Sequence, residues 1–235
     1  MSELLSQIYE WIFPSTVSTS NENLPKILVL ISGNGSNLQA LIDSAKSGKI
    51  PGKITHVISS SSKAYGLTRA ANDNIPTTTH ELKTYYKGIP KEDKAGRLAA
   101  RNEFNKDLVD IILNKIKPDL IVCAGWMLIL AEDFLNPLQE AKIPIINLHP
   151  SLPGAFEGTH AIERSWQAGQ DGTVDKGGVM IHYVIKEVDR GEPLIVRAIP
   201  VIKSESVEDW EKRIHDLEHD AIVDGTVKVL ETLKK

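Results

Sequence analysis

Two polar residues in the middle of the chain, Asn147 and His149, have the types and the spacing of a reaction centre. They close an apolar run that begins at Ile143 and leads into a loop rich in proline and glycine, so the run should be a strand that ends here. Because a strand alternates its side chains, both should project from the same side. An amide can donate to a developing oxyanion, and an imidazole can give or take a proton near neutral pH. The pair therefore predicts catalysis at the C-terminal edge of a sheet, where α/β proteins bind ligands.

A histidine that acts as an acid needs a carboxylate nearby to raise its pKa and to orient its ring. Asp189, which precedes Arg190 and Gly191 between two short predicted strands, is the best-placed candidate. The alternative is a surface-turn aspartate, and spacing alone favours it. His182 lies within the first of these strands and is predicted to be a core histidine or one that supports the site. No serine or cysteine stands in a recognisable nucleophile elbow, so we expect direct transfer without a covalent enzyme intermediate.

A second candidate site is the glycine-rich turn from Gly33 to Leu38, between a predicted strand and a predicted helix. Such a turn exposes backbone N–H groups where the helix dipole is positive, which suits a phosphate. Leu38 stands where a dinucleotide fingerprint has its third glycine, and the Walker lysine is missing. The turn therefore indicates a monophosphate site more than a dinucleotide or triphosphate site. The alternative is a plain turn with Ser36 or Asn37 as the helix cap.

The elements that must position these residues alternate between strands and helices. The alternation starts with the buried strand Lys26 to Ile31 and reaches the strand that carries Asn147, which implies parallel strands with right-handed crossovers. Two further strands flank Asp189. We expect an α/β fold: a Rossmann-like, doubly wound, mostly parallel sheet with helices on both faces.

A last helix is predicted from Ser206, which can act as its N-cap, towards Lys235. Gly225 is a point where this helix could break, because glycine costs about 1 kcal/mol relative to alanine in a helix. Three polar residues of the helix are predicted to lie on a solvated face: His215, Glu218 and His219.

The composition is that of an ordinary globular protein rather than a nucleic-acid-binding or membrane protein. The chain has 235 residues, 41% of them hydrophobic and 25% charged, and a formal net charge of −4. No apolar run is long enough to cross a membrane. The single cysteine, Cys123, is predicted to be a buried thiol, and the Cys/His spacings of metal sites are absent. We expect a cytoplasmic protein with an N-terminal extension, residues 1–24, and one domain, residues 25–235.

Four segments together resemble the phosphoribosylglycinamide formyltransferases of purine synthesis, with features of the fungal, single-function branch. Each segment alone would be modest support, but all four occur in order and with the right spacing. The likeness extends from about Lys26 to Lys235. The matching stretches are Ile27 to Asp43, Val122 to Leu130, Ile146 to Glu163 and Val179 to Ile195.

The resemblance implies that the glycinamide amine of 5'-phosphoribosylglycinamide attacks the formyl carbon of 10-formyltetrahydrofolate, without a metal. Asn147 would hold the formyl oxygen, His149 would donate a proton, and Asp189 would raise the pKa of His149. The domain would then divide into a phosphate-binding N-terminal half and a folate-binding, catalytic C-terminal half. The residues expected to bind the ribonucleotide are Gly35, Ser36 and Asn37 at the phosphate and Glu218 at the ribose.

The resemblance also implies a folate slot lined mainly by backbone, which suits the edge of a flat pterin. Three departures from the family pattern are a loop one leucine shorter at 151–154, Leu128 where bacterial members commonly have arginine, and a longer polar insertion at 83–97. The residues expected to bind folate are Arg101, Met127, Leu128, Ile129, Leu130, Asn147, Ile185, Lys186, Glu187, Val188 and Asp189.

Three other functions share parts of this pattern. Methionyl-tRNA formyltransferase would need an RNA-binding domain and a basic face, and formyltetrahydrofolate hydrolase would need an N-terminal regulatory domain. A nucleotide-binding module without chemistry would have no need of Asn147, His149 and Asp189 together. We therefore expect small-molecule substrates as partners, no nucleic acid, no membrane, and a monomer or weak homodimer.

Overall fold

A seven-stranded sheet forms the centre of the molecule in the computed structural model, which describes residues 24–233. The predicted extension lies outside these residues, apart from Leu24. The strands are β1 (Lys26–Ile31), β2 (Lys53–Ser59), β3 (Thr77–Thr79), β4 (Leu120–Cys123), β5 (Ile145–His149), β6 (Lys176–Tyr183) and β7 (Pro193–Pro200).

The strand order is β3-β2-β1-β4-β5-β6-β7. The first five strands are parallel, and β6 and β7 extend the sheet in antiparallel fashion beyond β5. The predicted mostly parallel sheet is therefore confirmed. The order reverses between β1 and β4, and a doubly wound sheet opens a crevice at the C-terminal ends of the strands at this point.

Helices cover both faces of the sheet, as predicted. The central strand β1 divides its side chains between two cores: Ile27, Val29 and Ile31 face one side, and Leu28 and Leu30 face the other. Such burial on both faces explains why this strand is a continuous apolar run. The helices are α1 (Ser36–Lys46), α2 (Gly66–Asn72), α3 (Leu82–Tyr85), α4 (Lys94–Asp110, extended by a π-helical turn, Ile111–Ile116), α5 (Glu132–Glu140), α6 (Ala161–Gln170) and α7 (Val207–Leu233).

The long helix α7 runs unbroken across one face of the sheet, so the helix does not break at Gly225. Gly225 packs directly on β6, where an added Cβ would stand 2.7 Å from Cγ2 of Ile181. The glycine lets the helix approach the sheet closely instead of ending it. Ser206 caps the helix as predicted, because its Oγ accepts the N–H of Asp209 at 3.1 Å.

The described residues contain neither a membrane-spanning helix nor a metal-binding cluster. None of the helices between residues 24 and 233 is both long enough and apolar enough to cross a bilayer. In the same range, no three His, Cys, Asp or Glu side chains are grouped so that they could hold a metal ion. Cys123 is buried in β4, as predicted, and burial raises the pKa of its thiol to about 12.

Candidate active site

A cleft of about 660 Å³ lies at the C-terminal edge of the sheet, where β1, β4 and β5 end. Its walls are the turn after β1, the loop after β4, the loop between β6 and β7, and part of α7. All the residues predicted to form the site line this cleft, with the exception of Arg101. The fold therefore brings together segments that are far apart in the chain.

His149 and Asp189 are in contact inside the cleft. Nδ1 of His149 lies 3.3 Å from Oδ2 of Asp189, and only 4% and 9% of the two side chains are exposed. The same Oδ2 atom accepts the N–H of Gly158 at 2.8 Å. Asp189 is therefore not a surface-turn aspartate but the buried partner of His149.

His182 connects Asn147 to Asp189. Its Nδ1 donates to the carbonyl oxygen of Tyr183 at 2.8 Å. Its Nε2 lies 3.3 Å from Nδ2 of Asn147 and 3.6 Å from Oδ1 of Asp189. This contact arises because the antiparallel pairing of β5 and β6 places His182 opposite Asn147. The strand pattern predicted only a core or supporting histidine, because one sequence does not specify the register between two strands.

Burial sets the protonation state of His149. Burial lowers the pKa of His149 below its ordinary value of 6.5, and this effect outweighs the charge of Asp189 and the carbonyls of Ala155 and Phe156, which raise it. Asp189 therefore raises the pKa of His149, as predicted, but burial has the larger effect and the pKa of His149 is lowered overall. The imidazole is therefore neutral at neutral pH.

Asp189 stays ionised in spite of its burial. Burial alone would raise the pKa of Asp189, but the adjoining imidazole of His182, the N–H of Gly158 and the imidazole of His149 bring this pKa below its usual range. A carboxylate beside Nδ1 favours the tautomer that carries its proton on that atom. Nε2 of His149 is buried and has no hydrogen-bond partner among residues 24–233.

The loop that carries Asp189 needs a glycine at position 191, where it packs against the backbone of β6. Asp189 has a left-handed backbone with φ of 57°. Two residues later, a Cβ on Gly191 would lie 1.6 Å from the carbonyl oxygen of Tyr183 and 3.1 Å from Nδ1 of His182. Gly191 therefore determines how this loop returns to the sheet beside His182.

We expect Gly191→Ala to destabilise the protein by roughly 1–3 kcal/mol, because the added methyl group must displace backbone. Urea unfolding monitored by circular dichroism would measure the change. Gly33→Ala is the matched control, since a Cβ at Gly33 would meet no atom within 4 Å. Equal stability of the two variants would contradict this interpretation of the loop.

The turn after β1 leaves the start of α1 without a side-chain cap. Gly35 is the N-cap of α1, with φ of 77° and no side-chain cap bond, so capping by Ser36 or Asn37 is not observed. A Cβ on Gly35 would lie 2.7 Å from Cα of Gly66, so the turn packs closely on the start of α2. Arg69 donates to both the backbone and the side-chain oxygen of Asn34, each at 3.0 Å, and so fixes the turn from behind.

Glu218 belongs to the cleft and not to a solvated face of α7. Its side chain is buried, and its Oε2 accepts the amide N–H of Asn37 at 3.0 Å. Burial raises the pKa of Glu218, although the bond from Asn37 and the charge of nearby His215 oppose this. The predicted solvated face is therefore wrong for Glu218, because its turn of the helix packs against the start of α1.

The predicted folate slot lies between the loop after β4 and the loop between β6 and β7. Met127 and Ile129 expose 77% and 60% of their surface at its rim, and Ile185 and Val188 are also exposed there. A flat, partly apolar ring could cover these side chains while its polar edge meets backbone groups. Arg101 braces the slot from outside by donating to the carbonyl oxygen of Ile129 at 3.1 Å.

Comparisons with known proteins agree with this arrangement. The family model described as "Formyl transferase" matches residues 25–226. The phosphoribosylglycinamide formyltransferase of Saccharomyces cerevisiae is 55% identical over 90% of this chain and 100% of its own length, and that of Schizosaccharomyces pombe is 45% identical over 87% and 96%. The crystal structure of glycinamide ribonucleotide transformylase 1 from Symbiobacterium toebii has a TM-score of 0.74 and 31% identity, covering 91% of this chain and 94% of its own. The chain therefore belongs to the formyl transferase family, in its phosphoribosylglycinamide formyltransferase branch.

Proposed function

We propose that the cleft transfers the formyl group of 10-formyltetrahydrofolate to the glycinamide amine of 5'-phosphoribosylglycinamide, giving the formylated ribonucleotide and tetrahydrofolate. The observation that supports this most is the assembly of Asn147, His149 and Asp189 in one cleft, between the glycine-rich turn after β1 and the exposed apolar side chains of the loop after β4. The phosphate would bind at the turn and the folate in the slot. The amine and the formyl group would then meet at the end of β5.

The first step is attack of the amine lone pair on the formyl carbon. The carbonyl electrons move to the oxygen, and the amide N–H of Asn147 donates to the oxyanion that forms. Preorganised donors of this kind stabilise a tetrahedral intermediate more than the ground state. Asn147 is suited to the role because its contact with His182 limits the rotation of the amide.

The second step moves one proton from the attacking nitrogen to the leaving nitrogen. The imidazole of His149 takes the proton from the attacking amine, and the imidazolium then gives it to N10 as the bond between N10 and the formyl carbon breaks. Asp189 stabilises the imidazolium during this interval and keeps the ring in one orientation. His149 is thus the proton donor to the leaving group, but it begins the cycle neutral.

The ribonucleotide would be held at two points away from the reacting atoms. Gly35, Ser36 and Asn37 would offer backbone N–H groups to the phosphate at the positive end of α1. Glu218 would accept a ribose hydroxyl through Oε1, because its Oε2 already receives the amide of Asn37. These contacts leave the glycinamide arm extended towards His149.

We expect Glu218→Gln to raise the KM for the ribonucleotide by roughly tenfold to a hundredfold, because a hydrogen bond to a charged group contributes about 1.5–3 kcal/mol. The KM for the folate should not change. Glu208→Gln is a suitable control, because Glu208 lies on an exposed turn of the same helix. Steady-state kinetics with each substrate varied in turn would separate the two constants. Equal KM values for Glu218→Gln and Glu208→Gln would remove Glu218 from the ribose site.

A comparison of formyl acceptors tests the proposed function. The purified chain is incubated with 10-formyltetrahydrofolate and, separately, with the ribonucleotide, with methionyl-tRNA, or with buffer alone. We expect tetrahydrofolate to form rapidly only with the ribonucleotide. Rapid formation with methionyl-tRNA would identify the tRNA enzyme instead, and rapid formation in buffer would identify a hydrolase.

Three finer expectations belong to the same proposal. The protein would act in the cytoplasm on small molecules, as a monomer or weak homodimer. It would need no metal, so a chelator in the assay should leave the rate unchanged. Sedimentation at the assay concentration would test the oligomeric state.

A further inference from the structure

A second contact runs beside the hydrogen bond that holds Asp189. The residue before Gly158 is Glu157, and the residue after Asp189 is Arg190. Nε of Arg190 lies 3.0 Å from Oε1 of Glu157, and its second guanidinium nitrogen lies 3.2 Å from Oε2. An arginine that meets both oxygens of a carboxylate is held in a defined orientation as well as by charge. Two neighbouring contacts thus join the loop after β5 to the loop between β6 and β7.

The two loops have no regular secondary structure to hold them in place. The loop after β5 is fixed from its other side by Arg164 of α6, which donates to the carbonyl oxygens of Glu157 and Thr159 at 2.9 and 3.2 Å. Arg190 therefore attaches the Asp189 loop to a segment that is itself anchored to a helix. Without this contact, the hydrogen bond from Gly158 would be the remaining link between that segment and Asp189 within residues 24–233.

We propose that Glu157 and Arg190 form a clamp that positions Asp189 against His149. The expected effect of the clamp on kcat rests on the proposed function. Its effect on the distance between Asp189 and His149 can be measured independently, through the titration of His149. Neither residue touches the reacting atoms, so both are positioning residues. The pair would act by limiting movement of the Asp189 carboxylate away from the imidazole.

The alternative is an ordinary surface ion pair, since 64% of Arg190 and 35% of Glu157 are exposed. Such pairs contribute little to global stability. The proposed clamp would instead control the distance between the side chains of Asp189 and His149, and it need not change the free energy of unfolding. The titratable groups that act on His149 are Asp189 and His182, and those that act on Asp189 are His149 and His182. A shift of the loop would therefore register at His149.

Arg190→Ala and Glu157→Gln should lower kcat by roughly tenfold to a hundredfold, as expected for a misplaced catalytic group. Both should also move the titration of His149 to lower pH, because Asp189 would give less support to the imidazolium. The titration is read from ring resonances in NMR spectra, and the acidic limb of the kcat/KM profile should shift in the same direction. Arg190→Lys, which keeps the charge but not the paired geometry, should fall between the wild type and Arg190→Ala.

A double-mutant cycle and a control make the test specific. If the two residues act as one unit, the double variant Glu157→Gln/Arg190→Ala should be no worse than either single variant. Arg197→Ala removes another arginine–carboxylate ion pair, with Asp224, outside the cleft and should leave kcat and the His149 titration unchanged. Wild-type titration and wild-type kcat in both single variants would overturn the clamp. A shifted titration in a chain that transfers no formyl group would instead retain the clamp and reject the proposed function.

Discussion

Replacement of His149 by alanine is expected to lower kcat by about 10²–10⁴-fold, the range for loss of a general acid–base group. The variant removes the only group placed to carry the proton between the two nitrogens in the proposed mechanism. The KM for the ribonucleotide should change little, since its proposed binding residues lie at the turn after β1 and on α7. Steady-state kinetics, with unfolding curves to confirm the fold, would measure the effect.

The wild-type pH profile gives a second readout of the same role. Because the pKa of His149 is lowered and the neutral imidazole starts the cycle, kcat/KM should stay high down to pH 6.5 and fall only below it. His56→Ala is the matched control, since His56 is a half-buried histidine on β2 that contacts Thr78 outside the cleft. A His149→Ala enzyme with near-wild-type kcat would show that the proton takes another route.

Replacement of Asn147 by alanine is expected to lower kcat by roughly 10²–10³-fold, as for removal of an oxyanion donor. The amide should interact much more strongly with the tetrahedral intermediate than with the planar formyl group, so the substrate KM values should rise little. A bisubstrate inhibitor with a tetrahedral hydroxyl group at the reacting carbon should lose affinity in parallel with kcat.

The control for this variant is Asn114→Ala, because the amide of Asn114 donates to Asp110 on the protein surface, away from the cleft. An Asn147→Ala enzyme that loses substrate affinity but retains kcat would contradict the oxyanion role. It would assign Asn147 to ground-state binding instead.

Most of the fold follows from local patterns that the sequence shows directly. The apolar run of β1 is buried on both faces, and the turn that follows it has the glycine that its left-handed backbone requires. Asn147 and His149 could be placed at the end of β5 because Pro150 stops the strand there. These features depend on neighbouring residues, and for that reason one sequence is enough to predict them.

The features that the sequence pattern missed depend on contacts between distant segments. Glu218 looks like a solvated helix residue until α7 is packed against α1, where it meets Asn37. His182 reaches Asn147 only through the register of β5 and β6. Gly225 could be a helix break or a packing position, and only the approach of α7 to Ile181 distinguishes the two.

The direction in which the pKa of His149 is shifted overall could not be predicted from the sequence either. The partner that raises this pKa could be named, but the burial that lowers it further could not be estimated before the cleft was built. The consequence is mechanistic, because a neutral histidine must accept a proton before it can donate one.

The most direct measurement follows the formyl group itself through a single turnover. The folate carries ¹³C in its formyl group, enzyme is in excess over folate, and the quenched mixture is examined by NMR for the wild type and for Asn147→Ala, His149→Ala and Asp189→Asn. The account predicts that in the wild type the label moves to the glycinamide nitrogen with one equivalent of tetrahydrofolate, and that each variant slows this transfer at least tenfold. Label released as formate, or transfer at the wild-type rate in all three variants, would contradict it.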